Sequence, residues 1–168
     1  MDAAQKYSEN VREIETYTRK IGVGMFTTRS GNGRLVSRPL QTKQMEANGN
    51  LWFFTAMDSK KVHELEANSS VNISYSNPGD QIFVSIDGRA NVVRDRAKID
   101  ELWSEAVDGI YFEGGRNDTD LALIRVVADT AEVWTSASTS VGRMYKFLKA
   151  KTTGDAGELG EQHHVVFK

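Results

Sequence analysis

The sequence predicts a mainly β protein, a β-barrel of antiparallel strands with peripheral helices. Three observations carry that reading. Short apolar or alternating stretches recur about six times along the chain, the pattern of strands rather than of long helices. Turn chemistry separates them: SGNG at 30–33, NPG at 77–79 and Asp87-Gly88. The stretches do not alternate with long helical segments, so the βαβ rhythm of a doubly wound sheet is missing. A closed or nearly closed barrel removes exposed edges. A barrel of this size is filled by its own side chains, so a ligand is expected in an outer groove or at a subunit interface.

The elements follow in order. Val11, Ile14, Thr18 and Ile21 recur at helical spacing, which predicts a helix over residues 8–20 lying on the core. Residues 21–28 (IGVGMFTT) and 35–45 flank the SGNG loop as a hairpin. Residues 51–55 (LWFFT) form a continuous apolar run, as in a strand buried on both faces. Val71, Ile73 and Tyr75 alternate, as do Ile82, Val84 and Ile86, each set marking a half-buried strand. Asp87-Gly88 interrupts the second set before residues 90–94 continue it, as a bulge or a tight turn. Asp95 is placed to cap a helix with Ile99, Leu102, Trp103 and Ala106 on one face. Residues 124–127 and 131–135 form a last strand or strand pair, and Ser140 caps a final helix.

A length of 168 residues without repeats or linkers predicts one domain over 1–168. The net charge of −2 gives no global attraction to nucleic acid or an anionic membrane. No segment reaches membrane-spanning length, and the N-terminus lacks a signal-type apolar region. Cysteine is absent, which excludes disulfides, thiolate catalysis and zinc–thiolate sites. A cytoplasmic protein is expected.

The most informative stretch is Asp58-Ser59-Lys60-Lys61, where an apolar run turns into a short helix. Cations at a helix N-terminus face the positive end of the peptide dipole, and each costs a few tenths to ~1 kcal/mol. With Ser59 as cap, backbone N–H groups and two ammonium groups would form a phosphate site. A solvated basic turn, with Lys60 beside Glu64, is the other reading. Arg38 stands before Pro39 in SRPLQTK, where proline implies an edge or an irregular strand, and an arginine there could grip a phosphate bidentately. If the strands beginning at Leu35 and Leu51 pair, Arg38 lies near residues 55–61.

The ordered set S-R-P-L, W-F-F-T, S-K-K-V-x-E-L, D-G-R-A, D-R-A-K-I-D-E-L-W and A-E-V-W resembles the FMN-binding split-barrel flavoproteins related to pyridoxamine-phosphate oxidase. Within them it is most similar to the bacterial general stress protein 26 family. Tyr111-Phe112 before Gly114-Gly115, Asp118 with Asp120-Leu121, and the closing G-E-x-x-x-V-x-F at 160–167 belong to the same likeness. It runs from about Ile14 to the C-terminus, and its strength lies in order and spacing, since no single piece is specific.

The resemblance implies FMN as cofactor and a homodimer with FMN at the subunit interface. By similarity Arg38, Ser59, Lys60 and Lys61 fall on phosphate-binding positions. Pro39 and Leu40 fall along the flavin ring, with Phe54 and Thr55 opposite. Trp134 matches a tryptophan that reaches the flavin from the dimer partner, and Gln81 a polar position near the ring. Read as a residue alone, Trp134 would be core or interface packing. The implied activity is that of an FMN-dependent oxidoreductase on a small molecule the sequence does not identify. The alternatives are a non-catalytic flavin-binding stress module or a structural dimer that has lost flavin. The oxidase's R-x-H motif is missing from 135–143 (TSASTSVGR), although Lys43 coincides with a basic position of the oxidase, which speaks against vitamin B6 oxidation.

No catalytic acid or base is identifiable from the sequence, and no metal site is expected. His163-His164 would point to opposite faces of a strand and lack a carboxylate partner set, so they read as tail residues. His63 stands alone on the short helix. Gly114-Gly115 lacks the setting of a nucleotide motif. The final helix carries Arg143, Lys146, Lys149 and Lys151, best read as solvated cations on a packed helix.

Overall fold

The structure, a computed structural model, describes residues 2–136 and 160–167. Helix α1 (Ala3–Ile21) opens the chain. Gln5 N–H donates to the Asp2 carboxylate while Asp2 N–H donates to the Gln5 side chain. This reciprocal cap starts the helix at Ala3, earlier than the apolar periodicity indicates. Val11, Ile14 and Thr18 are buried beneath it.

Strands β1 (Val23–Arg29) and β2 (Leu35–Gln41) form the expected hairpin, with Gly33 at φ +82 supplying the left-handed residue of the turn. The predicted run 35–45 is, however, split. Thr42 N–H bonds back to Gly22 O, whereas Lys43 N–H bonds to Trp52 O, so the chain changes partner between them. Strand β3 (Gln44–Met45) then pairs with β4 (Asn50–Ala56), and among the described residues β2 pairs only with β1. That leaves β2 at a sheet edge, where Pro39 removes no ladder bond that matters.

Helix α2 (Lys60–Ala67) follows, then β5 (Ser70–Asn77) and the long β6 (Ile82–Val93). Asp87/Gly88 is a bulge, not a turn: the register against the next strand shifts there. A Cβ on Gly88 would lie 2.2 Å from Val127 O, so only glycine fits this close backbone approach.

Asp95 caps α3 (Arg96–Leu102) by accepting from Lys98 N–H, as expected. The predicted helical face through Trp103 and Ala106 does not continue. Trp103 is extended (φ −69, ψ 132), and a second helix, α4 (Glu105–Tyr111), begins beyond it. The break turns the Trp103 ring against Phe54 and Phe112. A short 3-10 turn at Gly115–Asn117 leads to β7 (Leu121–Ser136), one strand rather than two, and β8 (Gly160–Val166) pairs with its far half. The final helix expected from Ser140, with its basic face, lies outside the described residues.

The strands form one eight-stranded antiparallel sheet in the order β2-β1-β5-β6-β7-β4-β3, with β8 on β7. It curls into a half-barrel with, among the described residues, four helices around it, the split-barrel architecture, with more strands than the six expected. Strand β4 explains why its sequence lacks alternation. Leu51 and Phe53 face the main core with Phe26, Ile73 and Ile124, while Trp52 and Phe54 face a second core under α3 with Ile99, Leu121 and Leu123. Among the described residues no helix is long and apolar enough to cross a membrane.

Candidate functional site

The C-terminal end of β4 and the start of α2 position the cations singled out above. Met57 N–H donates to Asp120 O and Asp58 N–H to the Asp120 carboxylate, fixing the turn that aims α2. Ser59 occupies the cap position, but its side chain makes no capping bond; its hydroxyl meets Thr55 Oγ1 at 3.2 Å instead. The capping role expected for Ser59 is therefore corrected. The first turn of α2 has neither a side-chain cap nor an acidic residue, and Lys60 and Lys61 stand in it. Burial pushes the Lys61 ammonium below its ordinary value, the Arg38 guanidinium pushes it further down, and Asp58 opposes both.

Arg38 is on β2, opposite Phe26 of β1, so it projects to the inner side of the sheet edge. It reaches α2 across β1, not through a β2–β4 pairing. Its guanidinium donates to Thr28 Oγ1 and, at 2.8 Å, to Glu64 Oε2, while the Thr28 hydroxyl donates to the same Glu64 oxygen at 2.6 Å. Burial would raise the Glu64 carboxyl, but the bonds from Thr28 and Arg38 and the Lys60 charge outweigh it and hold the group below its ordinary value. Glu64 therefore serves Arg38 rather than pairing with Lys60, and its Oε1 is buried without a hydrogen bond. Of the three cations here Arg38 is ion-paired, to Glu64, while Lys60 and Lys61 join no ion pair among the described residues, although the Asp58 and Asp120 carboxylates border the same turn.

Beside it runs a cleft of about 580 Å³, a volume suited to a small molecule. Val23, Pro39, Leu40 and Gln41 form one wall, Phe54, Thr55 and Ala56 another, with Lys61 at the α2 end and Val107, Tyr111 and Phe112 from α4 and its C-terminal cap. The structure thus brings Pro39, Leu40, Phe54, Thr55 and Lys61 of the sequence-derived set into one cleft, with Arg38, Ser59 and Lys60 behind its cationic end. Phe54 packs edge-on against Trp103 (5.7 Å) and Phe112 (6.0 Å). Lys43 lies over the Phe54 ring at 5.4 Å and is bound at 2.9 Å to both oxygens of Asp108, with side chains only 9% and 4% exposed.

Gln81 and Trp134 are elsewhere. Gln81 is exposed at the β5–β6 turn with φ +54, a left-handed conformation uncommon outside glycine. Met25, Ser74, Ser85 and Glu132 form one row across the sheet, and Trp134 lies two residues beyond Glu132. About 15 Å of sheet therefore separates it from β1, at ~4.8 Å per strand. Trp134 is paired in register with Phe83, and both rings are about 40% exposed.

The histidines are not tail residues. They belong to β8, where His164 Nδ1 meets Glu132 Oε1 and the carboxyl of Glu132 is lowered by that bond and one from Gln162. Among the described residues no group of three or more His, Asp or Glu is arranged to hold a metal.

Sequence reasoning missed Asp108 and the role of Glu64. Asp108 lies one residue beyond capping-box spacing from Ser104, whose N–H donates to its carboxylate at 2.7 Å, so no local signal marked it. Nothing local could have shown that Lys43 is its partner.

Residues 9–158 match the family described as pyridoxamine 5'-phosphate oxidase like. Protein bli-3 of Neurospora crassa is 26% identical over 175 residues, covering 98% of this chain and 83% of its own length. The solved structure of a general stress protein 26 from Jannaschia sp. CCS1 is 25% identical with a TM-score of 0.74, covering 95% of this chain and 99% of that one. The general stress FMN/FAD binding protein of Xanthomonas citri is 30% identical with a TM-score of 0.66, covering 78% of this chain and 92% of that one.

Proposed function

Since the chain belongs to the pyridoxamine 5'-phosphate oxidase-like family, we propose that it is a flavoprotein whose cofactor is FMN. The observation that carries this is the pair of lysines without an ion-pair partner at the uncapped start of α2, opening onto an aromatic-walled cleft. A phosphomonoester carries about −1.5 to −2 near neutral pH. It would accept from the backbone N–H groups of Lys60 and Lys61 and from their ammonium groups, turning unfavourable cations into charge-assisted partners. Arg38, held by Thr28 and Glu64, supplies a fork in a fixed direction. The FMN/FAD binding protein of Xanthomonas citri, 30% identical, favours a flavin as the phosphate's carrier.

The flavin supplies electron transfer when bound. This chain's part is to hold the phosphate, to line the ring with Pro39, Leu40, Phe54 and Thr55, and to exclude water with the Phe54–Trp103–Phe112 cluster. The working unit is a homodimer. Met25, Phe83, Trp134 and Val166 expose 40–52% of their surface, more apolar area on the strands than a monomer needs. Trp134, three strands from β1 and exposed, is the residue a partner would receive.

The reading with activity is an FMN-dependent oxidoreductase acting on a small molecule. One observation favours the alternative, a non-catalytic flavin-binding stress protein: Asp108, the acid lining the cleft, is already committed to Lys43. The absorbance spectrum of the protein as purified tests the cofactor, with flavin bands expected and a colourless protein that takes up no added FMN contradicting it. Oxidation of NADH or NADPH by the FMN-loaded protein well above free FMN supports the enzyme; no turnover with several acceptors supports the module.

A further inference from the structure

The two ends of the cleft differ in charge although each holds cations. At the α2 end, Lys60 and Lys61 join no ion pair among the described residues. At the other end, Lys43 is anchored beside β4 by its N–H bond to Trp52 O, and its ammonium is neutralised one to one. Both oxygens of Asp108 bond Lys43 Nζ at 2.9 Å, and Oδ2 also accepts from Ser104 N–H at 2.7 Å. The remaining face of the ammonium rests on the Phe54 ring. The pair is internally satisfied, so it offers an incoming anion no free donor, while an added negative charge beside Asp108 would be repelled. Around it the wall is aromatic and aliphatic: Phe54, Val107, Tyr111 and Phe112.

We propose that this end of the cleft is a subsite for an uncharged planar aromatic molecule, and that Asp108 is the residue that keeps anions out of it. The proposal rests on the flavin reading only in giving the opposite end to the coenzyme's phosphate. It deepens that reading by naming the class of molecule that would meet the flavin. A bare lysine here would select a carboxylate or phosphate. Lys43 cancelled by Asp108 selects shape and apolar surface instead, with Tyr111, 74% exposed at the mouth, free to cover a bound ring.

The test compares two isosteres, naphthalene-2-carboxamide and naphthalene-2-carboxylate, by calorimetric titration of the full chain with and without saturating FMN. The wild-type protein should bind the amide at least ~10-fold more tightly than the carboxylate, with FMN present as well as absent. Asp108→Asn frees the Lys43 charge and should erase or invert that ratio through a gain in carboxylate affinity. Lys43→Met with Asp108→Leu removes both charges and should keep the amide preference, which decides the matter if Asp108→Asn does not fold. A wild-type preference for the carboxylate, an unchanged ratio in folded Asp108→Asn, loss of preference in the double variant, or displacement of FMN by the amide would each overturn the proposal. Amide preference in a protein that takes no FMN would leave the subsite standing and remove the flavin reading; FMN uptake without amide preference would do the reverse.

Discussion

Both ends of the cleft join a basic residue in or just after β2 to a carboxylate on a helix, yet they are built for opposite ligands. Arg38 meets Glu64 on α2, and Lys43 meets Asp108 on α4. The difference is stoichiometry and access. Arg38 keeps 21% of its side chain exposed and has Lys60 and Lys61 beside it, so its corner attracts an anion. Lys43 is 9% exposed and among the described residues is paired with Asp108 one to one, so its corner is electrically closed. Buried ion pairs contribute little net stability by themselves, and what they determine here is which charges remain for a ligand. Counting cations in a sequence does not locate an anion site; counting those left over after pairing does.

The largest effect should come from removing the two lysines that no carboxylate pairs. Lys60→Ala with Lys61→Ala deletes two charge-assisted partners, about 3 kcal/mol together, or a loss of about 100-fold in FMN affinity. The fold should hardly notice, because neither lysine joins an ion pair among the described contacts of α2 and burial already disfavours the Lys61 charge. Fluorescence titration with FMN alongside thermal melting separates the two quantities. Retained affinity would make the α2 end no different from the closed one.

Next is the device that holds Arg38. Glu64→Gln keeps the shape but loses the charge, and should lower stability by about 2 kcal/mol at neutral pH. The sign with pH is fixed. The Glu64 carboxyl is held below its ordinary 4.5, so its contribution is complete above 4.5 and is lost as pH falls through the lower folded value. Urea unfolding should show wild type and Glu64→Gln separated at neutral pH and converging in acid. A gap that persists in acid would mean that Glu64 acts by packing rather than by charge.

The smallest effect concerns Lys61. Burial and Arg38 lower its value below 10.5, and a bound phosphate would raise it again. FMN affinity should therefore be flat near neutrality and fall a few-fold as pH climbs toward 10.5, with Lys61→Met abolishing the slope. A flat profile in the wild type would place the phosphate away from Lys61.

Much of this was legible in the sequence wherever the signal is local. The continuous run at Leu51, Trp52, Phe53 and Phe54 indicated a strand covered on both faces, and two cores now explain it. Asp87-Gly88 indicated a bulge or a tight turn; it is a bulge, and the backbone of Val127 occupies the space a side chain would need. The lysines at the head of α2 stood out because they oppose the helix dipole. Long-range contacts were not legible. Arg38 and Glu64 are 26 residues apart, and Lys43 and Asp108 are 65 apart, so nothing in either neighbourhood announces the partner. Helix α4 was hidden by Gly109 in its middle and by the apolar period that runs on through Trp103, which tertiary packing breaks. Ser59 carried a capping residue's identity while its hydroxyl turned to Thr55.

A phosphomonoester between Arg38, Lys60 and Lys61 is tested most directly by comparing FMN with riboflavin in equilibrium titration, because the two differ by that group alone. FMN should bind at least ~100-fold more tightly to the wild type, with the advantage collapsing in the double lysine variant. Riboflavin binding within about threefold of FMN would contradict it, since then the ring rather than the charge would hold the cofactor.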